Sequence, residues 1–543
     1  GYGDLGCHGN DKINTPAIDR LAGESVEFTQ FYVCVNCAPT RASLMTGRYN
    51  YRTGVTCVSQ ARSFMHADET TIAEIFQEAG YRTGIFGKWH LGDNYPIRPS
   101  DQGFEEFLVH KGGGIGQAAG PPGNTYFDPV LEHNNVSKKY EGYCNDIFFN
   151  SAIDFIEENA DKPFFTYVAT NLPHFPLQIA EKYVEPYRGY GINELNAKTY
   201  GMITNIDDNV GRLLNKLDEL NLEDDTIVIF LSDNGPRTSR IKNDRYPDRY
   251  NNGFRGTKTS IYEGGIHVPF FIRWPERFKA GNKVSTIAAH IDVLPTLLDA
   301  CSIKQPEDVL MDGISLMPLI QNEKINWPDR TLYFQWHNGD APYMYVHFAA
   351  RSQHYKLVQP WPENPHNIQL YPTGSELKSI LGKIELYDIE NDPCEINNIA
   401  AKHPDVVNRM LSDYENWFNN VTSERDYHHP QKIHIGTQYE NPVILSRFDW
   451  RGFRARQGLG WWDIRVTRAG KYNVTLRHPG AARSGEAHFR FGRLHVTQPL
   501  RKGSTTCTFN NIPLETGDDR LEAWIKFDRE STGVHFVDVE LVD

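Results

Sequence analysis

Along the first 430 residues, short apolar runs alternate with stretches whose apolar positions recur every three or four residues. Phe164 to Val168, Thr226 to Leu231 and Pro269 to Ile272 have the length and composition of buried strands. Ile72, Ile75 and Phe76 fall at helical spacing before Gly80, and Ile203, Ile206, Val210, Leu213, Leu214 and Leu217 mark a longer helix ending near Leu220. Another helix is predicted over His403 to Val421, with Val406, Met410, Tyr414, Trp417 and Phe418 among the residues of its apolar face. Such alternation predicts an α/β fold, a mixed sheet layered by helices.

After about residue 430 the period changes to two. Trp462, Ile464 and Val466 alternate with polar residues, as do Tyr472, Val474 and Leu476, then Phe489 and Phe491, then Leu521, Ala523, Ile525 and Phe527. Turn signals such as Ala469-Gly470, Pro479-Gly480 and Thr516-Gly517-Asp518 separate the runs. This pattern predicts an antiparallel β-sandwich, with its boundary in the polar stretch that starts at His428.

The charge balance narrows the partners. With 56 Lys and Arg against 69 Asp and Glu the formal charge is −13, which excludes generic nucleic-acid binding and requires that any anionic substrate be held by a local basic pocket. No run approaches the ~18 apolar residues of a membrane helix. Eight cysteines in 543 residues are too few and too scattered for a disulfide scaffold, and Cys34-Val-Asn-Cys37 has no second pair near it to make a zinc site.

Two segments carry chemistry. In Cys37-Ala-Pro39-Thr40-Arg41, followed by Thr46-Gly47, Pro39 suits the first turn of a helix and Gly47 its stop. That puts Cys37 just before a helix N-terminus, where free N–H groups favour anions, and Arg41 one turn in, able to point a guanidinium at the same anion. In Gly87-Lys88-Trp89-His90-Leu91-Gly92, Lys88 and His90 are two residues apart, so an extended chain would present both on one face at a glycine-flanked strand end.

Together these signatures, Cys-x-Pro-Thr-Arg-x4-Thr-Gly and Gly-Tyr-x-Thr-x3-Gly-Lys-Trp-His-Leu-Gly, resemble those of type I sulfatases, formylglycine-dependent enzymes of the alkaline-phosphatase-like superfamily. The resemblance continues through Gly1-Tyr-Gly-Asp4-Leu-Gly, Pro173-His174-Phe-Pro176, Leu231-Ser-Asp233-Asn234-Gly235, Lys258-x4-Glu263-Gly-Gly and Asp392-Pro-x-Glu395, covering residues 1 to about 420. It implies an alkaline-phosphatase-like catalytic domain over 1–330, a smaller C-terminal α+β subdomain over 331–430, and an accessory sandwich-like module over 440–543. It further implies that a maturation enzyme oxidises Cys37 to formylglycine, whose hydrated aldehyde is the nucleophile. Arg41, Lys88, His90, His174 and Lys258 would line the sulfate pocket, His90 as base and His174 or Lys258 as acid. Asp233 and Asn234, with residue 37, would bind one Ca²⁺, a hard ion suited to oxygen ligands. The family's other metal-binding Asp pair would precede Gly1, leaving Asp4 as a structural hydrogen-bonder.

Outside those motifs, Lys111, Trp336, His337 and Arg351 are expected to contact substrate. Ten Trp and 27 Tyr suit carbohydrate contact as well as core packing, and the expected substrate is a sulfated sugar at an oligosaccharide end. A periplasmic or secreted location is implied. Rival readings are a phosphonate or phosphodiester hydrolase on the same scaffold and a glycan-binding pseudoenzyme that keeps its thiol. Protein produced alongside a formylglycine-generating enzyme should show the aldehyde at position 37 by peptide mass spectrometry. Fully active protein with only a thiol there would eliminate the expected nucleophile.

Overall fold

The computed structural model describes residues 1–237, 249–323, 326–336, 338–360, 383–452, 459–481 and 483–542. Two sheets form the centre of the α/β region. One runs in the order Val136–Lys139, Val130–His133, Glu106–His110, Arg82–Lys88, Phe164–Ala169, the last three strands being parallel. The other runs Lys283–Val284, Val26–Phe28, Phe270–Arg273, Val228–Leu231. Helices cover both faces. Ile147, Phe148, Met202 and Leu214, from Cys144–Glu158 and Glu194–Glu219, build one apolar cluster. Ala42, Met45, Ile75 and Leu294, from Cys37–Thr46, Ile72–Glu78 and Val293–Ala300, build another.

Phe164–Ala169 and Val228–Leu231 are the end strands of their sheets among the described residues, and both are mostly half-buried. Lys88, His174 and Asp233 line one pocket beside them, together with Leu44, Phe165 and Ile229. Lys88 ends one strand, while His174 and Asp233 follow two others closely. The polar groups therefore gather at the carboxyl ends of strands, where open α/β sheets bind ligands.

A third sheet, Leu332–Gln335, Phe348–Arg351, Tyr355–Gln359 and Glu385–Asp388, is antiparallel throughout. Helix Pro404–Thr422 buries Val406, Met410, Tyr414 and Phe418 in the same cluster as Phe348 and Leu357. From this sheet Lys356 reaches Glu263 and Glu395, each at 2.9 Å and all essentially buried. Glu263 also accepts hydrogen bonds from Tyr32 and pairs with His267, both at 3.0 Å. Held this way, Gly264 and Gly265 press against neighbouring backbone. A Cβ on Gly265 would lie 2.0 Å from the Ser260 carbonyl, and one on Gly235 would lie 2.0 Å from that of Gly264. The Glu-Gly-Gly motif is a close backbone contact, clamped by a buried ion network.

Arg351 belongs to that network too, which corrects its expected role. It is fully buried, donates to the Tyr32 hydroxyl at 2.9 Å, and its other nitrogens serve Gln30 and the carbonyls of Ser352 and Gln353. It has no face left for substrate. His337 lies outside the described residues.

The β-sandwich has the predicted alternation: Trp462, Ile464, Val466, Tyr472, Val474, Leu476, Leu521 and Ile525 are all buried. Its first strand is Ile433–Ile435, paired with Trp461–Val466, so the module starts before the expected residue 440. Nor is it free-standing, because its core takes in Ala61, Phe64 and Ile97 from the α/β region. At the seam, Glu440 accepts from the Asn94 amide at 3.0 Å and the Tyr95 N–H at 2.7 Å.

Removing one member of a buried ion pair strands the other charge, which costs about 3–5 kcal/mol. Lys356→Met should lower stability by that order in urea unfolding, with little change in the slope. A loss under about 1 kcal/mol would show that Glu263 and Glu395 find other partners.

Candidate active site

Helix Cys37–Thr46 is buried along its whole length and stops at Gly47, whose left-handed backbone (φ 66°) returns its N–H to the Ser43 carbonyl. Cys37 is its first residue rather than the one before it, with Asn36 as an extended N-cap. The Cys37 Sγ lies 3.3 Å from His90 Nδ1, and His90 Nε2 lies 2.8 Å from the Val58 carbonyl. A carbonyl only accepts, so Nε2 carries the proton and Nδ1 offers a lone pair to residue 37. The imidazole is oriented as a base.

Lys88 and His90 converge, though not through the pleat of a strand. The strand ends at Lys88, and His90 takes a left-handed backbone (φ 66°), an uncommon state for a non-glycine residue. Glycines make room around the ring: a Cβ on Gly113 would lie 2.8 Å from His90, and one on Gly114 would lie 3.3 Å from His174 Nδ1. The His110-Lys-Gly-Gly-Gly run is thus a cover drawn over two histidines.

Arg41 is buried and most of its donors are bonded within the protein. Its Nε and Nη2 donate to Asp233 at 3.0 and 2.8 Å, and Nη1 donates to the Lys88 carbonyl at 2.6 Å and the Tyr167 hydroxyl at 3.3 Å. Burial alone would raise the Asp233 carboxyl, but Arg41, Lys88 and Lys258 hold it far below the usual carboxylate range. Burial would also raise the Cys37 thiol, yet Lys88, Lys258 and the His90 contact hold it well below the ordinary value. In a chain of charge −13, this pocket is locally cationic. Lys258 is brought there by its own N–H, bonded to the Pro236 carbonyl at 2.9 Å, and by that of Thr259, bonded to Val35 at 3.0 Å.

His174 Nδ1 donates to the Phe175 carbonyl at 2.7 Å, leaving Nε2 as its second ring nitrogen. Burial and the nearby charges of Lys88 and Lys258 push this imidazole down to about 2. Asp233 and Asn234 supply oxygen atoms, and the Asn234 Oδ1 is buried with no hydrogen-bond partner while its Nδ2 donates to the Gly235 carbonyl at 2.9 Å. An unpaired buried carbonyl next to a carboxylate suits a hard cation. Among the described residues, no group of three or more His, Cys, Asp or Glu is placed to hold a metal, so these two offer part of a ligand set. Asp4 is bound by Arg249 at 2.7 and 2.5 Å, a structural ion pair.

Of the expected substrate contacts, Trp336 sits beside the residue before Cys37. Its indole N–H reaches the Asn36 amide oxygen at 3.0 Å once that amide is turned to donate to Val35. Lys111 has Glu132 at 3.8 Å and keeps partial exposure. Tyr167 was not expected; only its place on the strand beside Arg82–Lys88 brings its hydroxyl to Arg41.

Comparison with known proteins decides the family. Residues 1–303 match the Sulfatase family, and residues 254–416 match the family described as N-sulphoglucosamine sulphohydrolase, C-terminal. The chain belongs to the sulfatase family. It is 31% identical over 479 residues to an N-acetylgalactosamine-6-O-sulfatase of Bacteroides thetaiotaomicron, covering 76% of this chain and 90% of the relative. Human arylsulfatase A is 30% identical over 452 residues, with 76% and 84% covered. Among solved structures, Ps i-CgsB in complex with k-i-k-neocarrahexaose superposes with a TM-score of 0.66 at 27% identity, covering 79% of this chain and 92% of that one. The sulfatase is therefore a sulfuric ester hydrolase with an alkaline-phosphatase-like fold.

The base role assigned by geometry to His90 has a pH consequence. Burial and Lys88 lower its imidazole from the ordinary 6.5, with Cys37 opposing them. A lowered pKa keeps the proton-accepting form populated to lower pH. The kcat/KM for an aryl sulfate should therefore hold its plateau as pH falls past 6.5; an acid limb centred above 6.5 that disappears in His90→Gln would show a raised imidazole instead, and a pH profile and rate unchanged in His90→Gln would overturn the base role.

Proposed function

We propose that this sulfatase removes sulfate from a sulfated carbohydrate, at oligosaccharide ends, with formylglycine at position 37 and one Ca²⁺ held in part by Asp233 and Asn234. The observation that carries the reading is the gathering of Arg41, Lys88, Lys258 and the His90 lone pair on residue 37 at a buried helix N-terminus. The carbohydrate class is supported by the N-acetylgalactosamine-6-O-sulfatase relative, by the neocarrahexaose complex, and by the Trp336 ring beside Asn36. A maturation enzyme would supply the aldehyde, and a periplasmic or secreted site of action suits such substrates. Among the described residues no helix is long and apolar enough to cross a membrane.

When present, the hydrated aldehyde supplies a nucleophilic hydroxyl and the cation draws charge from the sulfuryl oxygens. The remaining work falls to side chains. Lys88 and Lys258 meet the spread negative charge of the sulfuryl group, and Arg41 fixes Asp233 and the Lys88 backbone around it, so stabilisation is electrostatic and preorganised. His90 Nδ1 accepts a proton from residue 37 and returns it to solvent after turnover. The leaving oxygen needs a proton as well. His174 Nδ1 is already committed to the Phe175 carbonyl, whereas the Lys258 ammonium brings three donors. We assign the acid role to Lys258 and an orienting role to His174.

A poor leaving group depends more on protonation. Lys258→Ala should cost on the order of 10–100-fold more on a sulfated sugar than on nitrophenyl sulfate, while Arg41→Ala should hurt both alike. If His174→Ala shows the leaving-group dependence instead, the acid is His174. Sulfate release from a panel of sulfated saccharides, with aryl phosphate in parallel, tests the activity; faster phosphate release would favour the phosphonate or phosphodiester reading.

A further inference from the structure

We infer that the C-terminal sandwich positions the catalytic base, through Phe448 and the loop it holds. This rests on the assignment of His90 as the base and extends it to a part of the chain outside both family matches. Strand Val443–Ser446 pairs with Phe536–Leu541 inside the sandwich and runs into a short 3₁₀ turn, Arg447–Asp449. That turn leaves the module and enters the catalytic region. The Phe448 ring lies 5.8 Å from the His90 ring, centroid to centroid, and a Cβ on Gly112 would meet it at 3.5 Å.

The second link is through backbone. The Phe448 carbonyl accepts the Gln60 N–H at 2.9 Å, and the Arg451 guanidinium reaches the Ala61 carbonyl at 3.5 Å. Gln60 and Ala61 both have left-handed backbone, φ 61° and 54°, a pair of conformations that persists only when the surroundings impose it. Ala61 and Phe64 are anchored in the sandwich core. Two residues before Gln60, the Val58 carbonyl takes the His90 Nε2 proton at 2.8 Å and so leaves Nδ1 as the lone pair facing residue 37. His90 is itself in a left-handed conformation. The tautomer of the base is therefore set by a loop whose shape the sandwich maintains, and Phe448 keeps the ring from swinging away from that carbonyl. Phe448 is a positioning residue, since it acts through His90.

The test compares full-length wild type with Phe448→Ala, Phe448→Leu and Phe448→Tyr. Nitrogen NMR of protein labelled with ¹⁵N-histidine, with His90→Gln assigning the resonance, reads the tautomer directly. Wild type should show Nε2 protonated and Nδ1 bare. Phe448→Ala should show exchange between tautomers and about tenfold lower kcat on a small aryl sulfate at nearly unchanged KM, the scale of a misplaced catalytic group. Phe448→Tyr should restore both. If Phe448→Ala does not fold, Phe448→Leu carries the same comparison at smaller amplitude. Unaltered nitrogen signals with unaltered kcat, or a loss confined to KM, would overturn the inference. An inactive wild type would count against the proposed function instead, and the nitrogen spectra would still decide this point.

Discussion

Arg41, Lys88 and Lys258 carry like charges, and crowding them around one buried residue is unfavourable unless fixed groups offset it. Asp233 is the offset the chain provides, bonded twice to Arg41 and held ionised by all three cations. The result is a rigid positive pocket that needs little reorganisation when an anion enters. Much of the surrounding architecture serves this arrangement. Cys37 opens a wholly buried helix, and Lys88 and Asp233 stand at or just beyond strand ends where the same cavity reaches both.

Backbone proximity is the second constraint. Gly235 presses on Gly264, and Gly265 on Ser260, at distances no side chain would permit. These contacts fix the loop of Asp233 and Asn234 against the loop that delivers Lys258. The buried Glu263–Lys356–Glu395 network holds the other side of the clamp, tying the antiparallel sheet of the smaller subdomain to the catalytic loops. Burial pushes the Glu395 carboxyl up to about 7, against the pull of Lys356, while Glu263, nearer to His267 and Arg351 as well, is held low. An ion network of this kind fixes arrangement more than it adds stability.

The sandwich changes what counts as the catalytic unit. Its core includes residues of the α/β region, its Glu440 holds the loop after the Lys-Trp-His-Leu-Gly segment, and its Phe448 packs against His90. The sandwich also packs against the Gly112–Gly114 cover, where a Cβ on Gly112 would meet the Phe448 ring at 3.5 Å.

Local sequence determined the elements and most of the chemistry. Period-two alternation from Trp462 onward sets the sandwich faces, helical spacing sets Glu194–Glu219 and Pro404–Thr422, and the Cys-x-Pro-Thr-Arg and Lys-Trp-His motifs name the residues that meet in the pocket. Those properties depend on neighbours a few positions apart, so they can be read along the chain. Other properties depend on which distant segments meet. Arg351 looked like a free cation for substrate and is spent on Tyr32; Tyr167 looked like part of a buried strand and reaches Arg41; the accessory module shares its interior with the α/β region. His174 stands beside Lys258 as an expected acid, and burial next to two lysines lowers its imidazole. Burial, charge partners and loop shape arise only when the whole chain closes, because each is a sum over groups that the sequence places hundreds of residues apart.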